Sequence, residues 1–417
     1  MTTVPNRWLI ALAGVVMQIA LGAVYAWSVF RIPLTEAYGW SIAEVTLAFT
    51  IAIFVVGFAT FAGGLWMQRV GPRRVALAAG ALYGLGVFLA SFAGGRLWLL
   101  YCSYGLIGGV GLGLGYIVPV ATLVKWFPDR RGMITGIAVT GFGCGALITA
   151  PIATRLIAQV GALNTFAILG VVYLIVVMGA ACFMQNPPDG YHPPGWTPSA
   201  AQQQQRSTRM YTLKEATGTW QWYGLWAWLF LITTAGIALI SQAAPMAQEI
   251  TDVTPAAAAG LVSVIAIANG AGRFLWASLS DFIGRRNVFL MMFPIQAIIF
   301  AILPSVESFA VLTVLACLVL LCYGGGFGTM PAFVADCFGA EHVGSIYGLM
   351  LTAWGFAGVL GPTLIATLRE ANGRYDEALY VIAVLMLVAT AIPMLVGAPP
   401  TSRAGSRRVP DVVRAHR

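Results

Sequence analysis

The strongest constraint on this chain is a series of twelve apolar stretches, at 8–30, 42–66, 75–94, 97–124, 133–158, 162–184, 221–246, 255–279, 288–304, 308–334, 344–368 and 377–396. A helix rises about 1.5 Å per residue, so about 20 apolar residues cover roughly 30 Å of hydrocarbon. Each stretch meets that length, the shortest only just. Composition agrees: 59% of the 417 residues are hydrophobic and 9% are charged, where a soluble domain carries about 25% charged residues. The expected fold class is an all-α membrane protein with twelve transmembrane helices. Trp8–Phe30 is too long for the core of a signal peptide and runs into further apolar sequence, so it reads as the first span.

The chain then divides by repetition. Gly71-Pro-Arg-Arg after the second span matches Gly284-Arg-Arg after the eighth, and Ser41 and Thr254, the expected N-caps of those spans, share the same offset. Phe127 with Phe338 and Pro151 with Pro362 repeat at nearly the same distance, about 212 residues. Two pseudo-symmetric six-helix bundles follow, at 1–184 and 221–396. Between them lies a cytoplasmic linker, 185–220, rich in Pro, Gln and Ser, with a Thr212/Glu215 capping box before span seven. A basic cytoplasmic tail occupies 397–417 and reads as a solvated, lipid-facing segment. With both termini inside, the inner loops and tails hold 17 of the Lys and Arg residues and the outer loops 5. That asymmetry orients the chain as a multi-pass protein of a plasma (inner) membrane with cytoplasmic termini.

Several function classes drop out. The net charge of +8 is carried by arginines at span ends, which orientation explains, so nucleic acid is not an expected partner. The six cysteines show no CxxC pattern and have no neighbouring histidine, and the three histidines fall outside the spans. No metal site, disulfide or intramembrane histidine relay is expected. The sequence has no paired acids or activated nucleophile, so no enzyme and no cofactor are expected. The glycine ladder Gly105, Gly109 and Gly113 lies in an apolar span with no strand before it, so it reads as close helix packing.

One residue resists the membrane logic. Arg273 sits well inside the eighth span, in Ile265–Arg286. An arginine at mid-span costs about 2.5–3.5 kcal/mol on insertion scales. It lies near enough to the inner end to snorkel, but helical side chains lean toward their own N-terminus. In this span that direction is toward the membrane centre, past Asn269. A guanidinium is permanently charged and its planar fork matches a carboxylate. The expectation is an anion-binding residue, with Asn269 orienting it or donating a hydrogen bond.

The loop Ser280–Arg286 (SDFIGRR), with its weaker echo at Gly63–Arg74, resembles the signature of the major facilitator superfamily. Further residues, GAVYAWSVF (Gly22–Phe30), KWFPDRRG (Lys125–Gly132), the Asn269/Arg273 pair and YGGGFG (Tyr323–Gly328), resemble its oxalate/formate antiporter and monocarboxylate transporter branch. The resemblance covers nearly the whole chain. It implies the two-bundle carrier fold and gating at the inner face by Asp281, Arg285, Arg73 and Gln68. Gln68 departs from the usual aspartate, so the first-half latch is expected to be a neutral hydrogen bond.

By the same resemblance Tyr25, Tyr116 and Tyr323 line the cavity, and Phe142, Phe327 and Trp354 form dry walls. Trp354 stands where the resembled oxalate transporter has a second intramembrane lysine. One cation suits a monoanion. The expected function is therefore alternating-access transport of small monocarboxylates, lactate or pyruvate in type, with H+ as the coupled partner. The alternative is an oxalate/formate-type anion exchanger. No Asp, Glu or His falls mid-span to carry the proton, and the carrier is expected to act as a monomer.

Overall fold

The computed structural model describes residues 5–197 and 210–395. Arg206, Arg209, the glutamine run and the basic tail lie outside the described residues. Twelve helices are long and apolar enough to cross a membrane. They are α1 (Arg7–Tyr38), α2 (Ile42–Val70), α3 (Pro72–Ala90), α4 (Leu97–Trp126), α5 (Arg131–Val160) and α6 (Ala162–Ala181), then α7 (Trp220–Thr251). They continue with α8 (Pro255–Ile283), α9 (Arg285–Ser305), α10 (Phe309–Phe338), α11 (Val343–Asn372) and α12 (Asp376–Leu395). Several run past their apolar cores. In particular, α10 reaches Phe338 where hydropathy alone ends the span at 334, which brings Asp336 into the helix.

Local chemistry starts and stops these helices. Asn6 caps α1 by accepting from the Trp8 N–H. Ser41 and Glu44 form a reciprocal capping box on α2, and Thr254 caps α8 through the Ala257 N–H. These side chains satisfy N–H groups that an α-helix leaves without internal partners. Thr212 and Glu215 make the same box on the single turn Leu213–Thr217 in the linker. The linker is pinned at both ends: Trp126 Nε1 donates to the Gln185 carbonyl at 2.7 Å, and the Tyr211 N–H donates to the Phe338 carbonyl at 2.9 Å.

The internal repeat reappears as packing. In the first half α2 packs on α4, α1 on α5 and α3 on α6; in the second, α8 packs on α10, α7 on α11 and α9 on α12. Each pair maps onto its partner by a shift of six helices. The halves meet where α5 lies against α8 and α10, and where α2 lies against α11. These contacts are tight enough to exclude a β-carbon: one added at Gly64 of α2 would fall 2.1 Å from the Gly344 carbonyl oxygen of α11. Backbone approach of this kind is how membrane helices gain packing energy where lipid offers no hydrophobic drive.

Among the described residues, the hydrogen bonds between halves all lie in the half of the molecule that carries the termini. They run from Thr60 to Gly348, Gln68 to Ser345, Thr135 to Gly328 and Thr140 to Gly270, together with the polar cluster and the Arg273 contact described below. The terminus-bearing side is shut.

Candidate functional site

Arg273 is 1% exposed, so it does not snorkel. Its helix is clamped between α5 and α10, where β-carbons at Gly136 and Gly328 would fall 2.7 and 2.1 Å from its own carbonyl oxygen. That clamp explains part of the YGGGFG pattern. The guanidinium crosses to the other half, where Nη1 donates to the Val139 carbonyl of α5 at 3.0 Å. Its Nε is buried without a hydrogen-bond partner. Its carbon lies 5.9 Å from the Phe142 ring centre and 5.7 Å from that of Phe327. No carboxylate pairs with it among the described residues. A buried cation held by one carbonyl, ring faces and the adjacent Tyr25 hydroxyl, with no carboxylate, is poorly compensated, since desolvating an ion costs several kcal/mol.

Around Arg273 the expected aromatic residues converge from five helices. Tyr25, in a 3₁₀ stretch Ala23–Trp27 that interrupts α1, lies beside the guanidinium and meets Phe142 edge-on at 5.3 Å. Tyr116 of α4 meets Phe142 at 5.2 Å and Trp354 at 5.8 Å. Trp354 of α11 also packs edge-on against Phe327 at 5.3 Å, and Tyr323 against Phe327 at the same distance. The rings form a largely buried cage with one guanidinium in its wall. Tyr25 is the partly exposed member of the set, on an otherwise buried cage. Asn269 is placed differently: its Oδ1 is buried against Gly324 of α10 without a hydrogen-bond partner. It touches the α8–α10 contact and makes no hydrogen bond to Arg273.

At the terminus-bearing face lies a polar cluster. Both Asp281 carboxylate oxygens accept from the first N–H groups of α5, Gly132 at 3.0 Å and Met133 at 2.8 Å. An anion at a helix N-terminus meets unpaired donors and the positive end of the helix dipole. Asp281 also pairs with Arg285 at 2.6 Å, and Arg285 pairs with Asp336 at 3.1 Å. Asp336 pairs in turn with Arg131 of the other half at 2.8 Å. Gln68 donates to Ser345 Oγ near the start of α11, the neutral counterpart of the Asp281 contact. Arg73 is exposed and makes no ion pair among the described residues. The repeat explains its position: at the offset linking Gln68 to Asp281, Arg285 corresponds to Pro72, and Arg73 to the exposed Arg286.

KWFPDRRG is accounted for nearly residue by residue. Trp126 holds the linker, Phe127 lies 4.5 Å beneath the Arg7 guanidinium, and Asp129 takes a forked pair from Arg7 at 2.8 and 3.1 Å. Arg131 joins the cluster and Gly132 receives Asp281. Two residues escaped sequence reasoning. Asp336 lay just past the apolar core of its span. Tyr347 of α11, fully buried beside Tyr116, was hidden because its neighbour comes from the other half.

Comparison with known proteins agrees with this fold. The Major Facilitator Superfamily profile matches residues 10–267 and 226–415, and the chain belongs to that family. It is 30% identical to the MFS-type transporter YhjX of Escherichia coli (strain K12), over 85% of this chain and 86% of that one. It is 26% identical to the oxalate:formate antiporter of Oxalobacter formigenes, over 94% and 91% of the two chains. Identity to monocarboxylate transporter 13 of Rattus norvegicus is also 26%, over 92% and 87%. The fold matches the E. coli fucose:proton symporter FucP with a TM-score of 0.69 at 14% identity, covering 94% of this chain and 99% of that one. The protein is a twelve-span membrane carrier of the oxalate/formate and monocarboxylate transporter branch, and not an enzyme.

Proposed function

We propose that the protein carries small monocarboxylate anions, lactate or pyruvate in type, across the plasma membrane together with protons, by alternating access. The observation that carries this reading is Arg273: buried among aromatic rings, donating to one backbone carbonyl, with its Nε lacking a hydrogen-bond partner and no carboxylate beside it among the described residues. A carboxylate supplies the missing counter-charge and can take the fork of the guanidinium. The cage walls suit a short carbon chain.

Charge supports a monoanion. Trp354 fills its place with rings around it, and no second cation faces the cage among the described residues. A dianion there would keep one charge uncompensated in a low-dielectric site. The relative named as an oxalate:formate antiporter favours a second reading, carboxylate exchange. Under either reading, neutralising Arg273 loosens its tie to Val139 across the two halves, and the halves can then rock about the site. Both termini lie in the cytoplasm, and the carrier works as a monomer.

The test is reconstitution in liposomes with labelled lactate, pyruvate, formate and oxalate. Uptake of a monocarboxylate driven by an inward proton gradient is the expected result. Uptake that requires a loaded counter-anion would establish exchange instead. Normal transport by Arg273→Gln would remove the basis of both.

A further inference from the structure

The repeat that relates the two halves also relates the two latches, and their comparison exposes a histidine. At the offset that links Phe127 to Phe338, Lys125 corresponds to Asp336 and Arg131 to His342. In the first latch Arg131, at the start of α5, pairs across the halves with Asp336 near the end of α10. The mirror arrangement sets His342, just before α11, toward Lys125 at the end of α4. An acid and a base at one latch have become two bases at the other. Packing agrees: a β-carbon added at Gly344 would lie 3.4 Å from Ala121 Cβ, and Lys125 follows Ala121 by one turn on the same face of α4. Glu341 is the carboxylate whose charge reaches Lys125, and its Oε1 lies 3.9 Å from His342 Nε2. The His342 carbonyl accepts from Ser345 Oγ at 3.0 Å, and that hydroxyl accepts in turn from Gln68 of the other half. His342 therefore sits at the root of the neutral latch, with its side chain 25% exposed.

We propose that His342 is a proton-binding site whose protonation opens the terminus-bearing face. The inference rests on the rocking of the halves and not on the identity of the substrate. Imidazole is the side chain whose charge ordinarily changes between about pH 5 and 8. While neutral, it leaves Glu341 to attract Lys125 across the halves. Once protonated, it sets a second cation toward Lys125 and draws Glu341 to itself, so repulsion between the halves rises as attraction falls. Both effects act across the interface and fade when the halves part. The proton therefore binds more tightly to the open face, and by linkage a bound proton favours that face. The sign follows: the latch is shut above the titration of His342 and loosens as the pH falls through it. Other charges on the elements packed against the start of α11 do not reverse this. The end of α2 carries Gln68 and the exposed Arg69, the linker turn carries Lys214 and Glu215, α7 begins Trp220-Gln221-Trp222-Tyr223, and Asp336 of α10 is taken by Arg131 and Arg285. The site lies at one end of the molecule, away from the cage, so the proton it takes regulates the carrier and is not cargo.

The experiment measures distances between spin labels at Arg73 and Arg286, exposed on opposite halves of that face, in the full-length protein in lipid nanodiscs without substrate. The pH is varied between about 8 and 5.5, across the range in which imidazole titrates. The ratio of long to short distances is expected to rise roughly threefold to tenfold as the pH falls, which is the effect of half to one pKa unit of difference between the two faces. His342→Gln should hold the high-pH ratio throughout, and His342→Arg, permanently charged, should hold the low-pH ratio throughout. Lys125→Gln should remove most of the rise although His342 still titrates.

A wild-type ratio that ignores pH overturns the inference. So does a full rise in His342→Gln, which would move the titration to a carboxylate, or a full rise in Lys125→Gln, which would show that the proton acts without the facing cation. The three variants alter two residues from different halves, so misfolding of one leaves the others to decide. The readout needs no substrate: a carrier that transports none of the acids tested would end the monocarboxylate reading and leave this inference standing on its distances.

Discussion

At the scale of single residues, the question at Arg273 is whether charge alone is enough. The guanidinium donates to Val139 across the halves while its Nε has no hydrogen-bond partner, and under the proposed reading that Nε is left for the carboxylate. Lysine keeps the charge but offers a point rather than a planar fork, and cannot hold the same carbonyl and a carboxylate in one plane. Arg273→Lys is therefore expected to raise the KM for pyruvate about tenfold or more, a loss on the scale of one charge-assisted hydrogen bond. Saturation curves of proteoliposome uptake measure it. Trp354→Lys tests the charge count directly: a second cation should raise oxalate uptake relative to pyruvate, and an unchanged ratio would end the monoanion argument. Arg273 was legible in the sequence because one arginine in an apolar helix is conspicuous along the chain. Tyr347 was not, since a buried tyrosine is unremarkable until Tyr116, more than two hundred residues away, is found against it.

At the scale of helices, the polar cluster ties the start of α5 to the ends of α8 and α10. Asp336 is its hub, taking Arg285 on one oxygen and Arg131 on the other, all three nearly buried. Removing it strands Arg131 and leaves Arg285 with Asp281 as its one carboxylate partner. Breaking a buried pair by deleting one partner costs about 3–5 kcal/mol, so Asp336→Ala should destabilise the shut arrangement by that order. Thermal unfolding in detergent, with Glu249→Ala as a comparison, measures the effect; Glu249 pairs with Arg369 at the opposite, exposed end. An equal small loss in both variants would show that the hub contributes no more than a surface pair. The repeated helical order could be read from hydropathy because each span's length and apolarity are local properties. The hub could not, because α10 continues past its apolar core for one further turn. That turn is stabilised by a carboxylate paired with arginines from α5 and α9, which hydropathy does not register.

For the whole molecule, the consequence lies in the inequality of the two latches. Pseudo-symmetry puts Asp281 against the start of α5 and Gln68 against the start of α11, but only Asp281 is charged. The proposed rocking of the halves would have to break both. A carboxylate at a helix N-terminus contributes about 0.3–1 kcal/mol, and up to about 2 kcal/mol when partly buried, whereas an amide hydrogen bond to Ser345 brings no dipole term. Gln68→Asp would make the latches alike and deepen the shut state by about 1 kcal/mol, a shift of roughly fivefold in its population relative to the alternative. Asp281→Asn should shift it the other way, since it removes the charge from the α5 cap and from Arg285 together. Spin labels at Arg73 and Arg286, exposed residues on opposite halves of that face, report the separation once the exposed Cys102 and Cys182 are replaced. The distance distribution should narrow toward the short component in Gln68→Asp and gain a longer one in Asp281→Asn. Turnover would then fall in the first variant because opening has become the slow step. Should both variants give the wild-type distribution, the latches would not govern the rocking equilibrium.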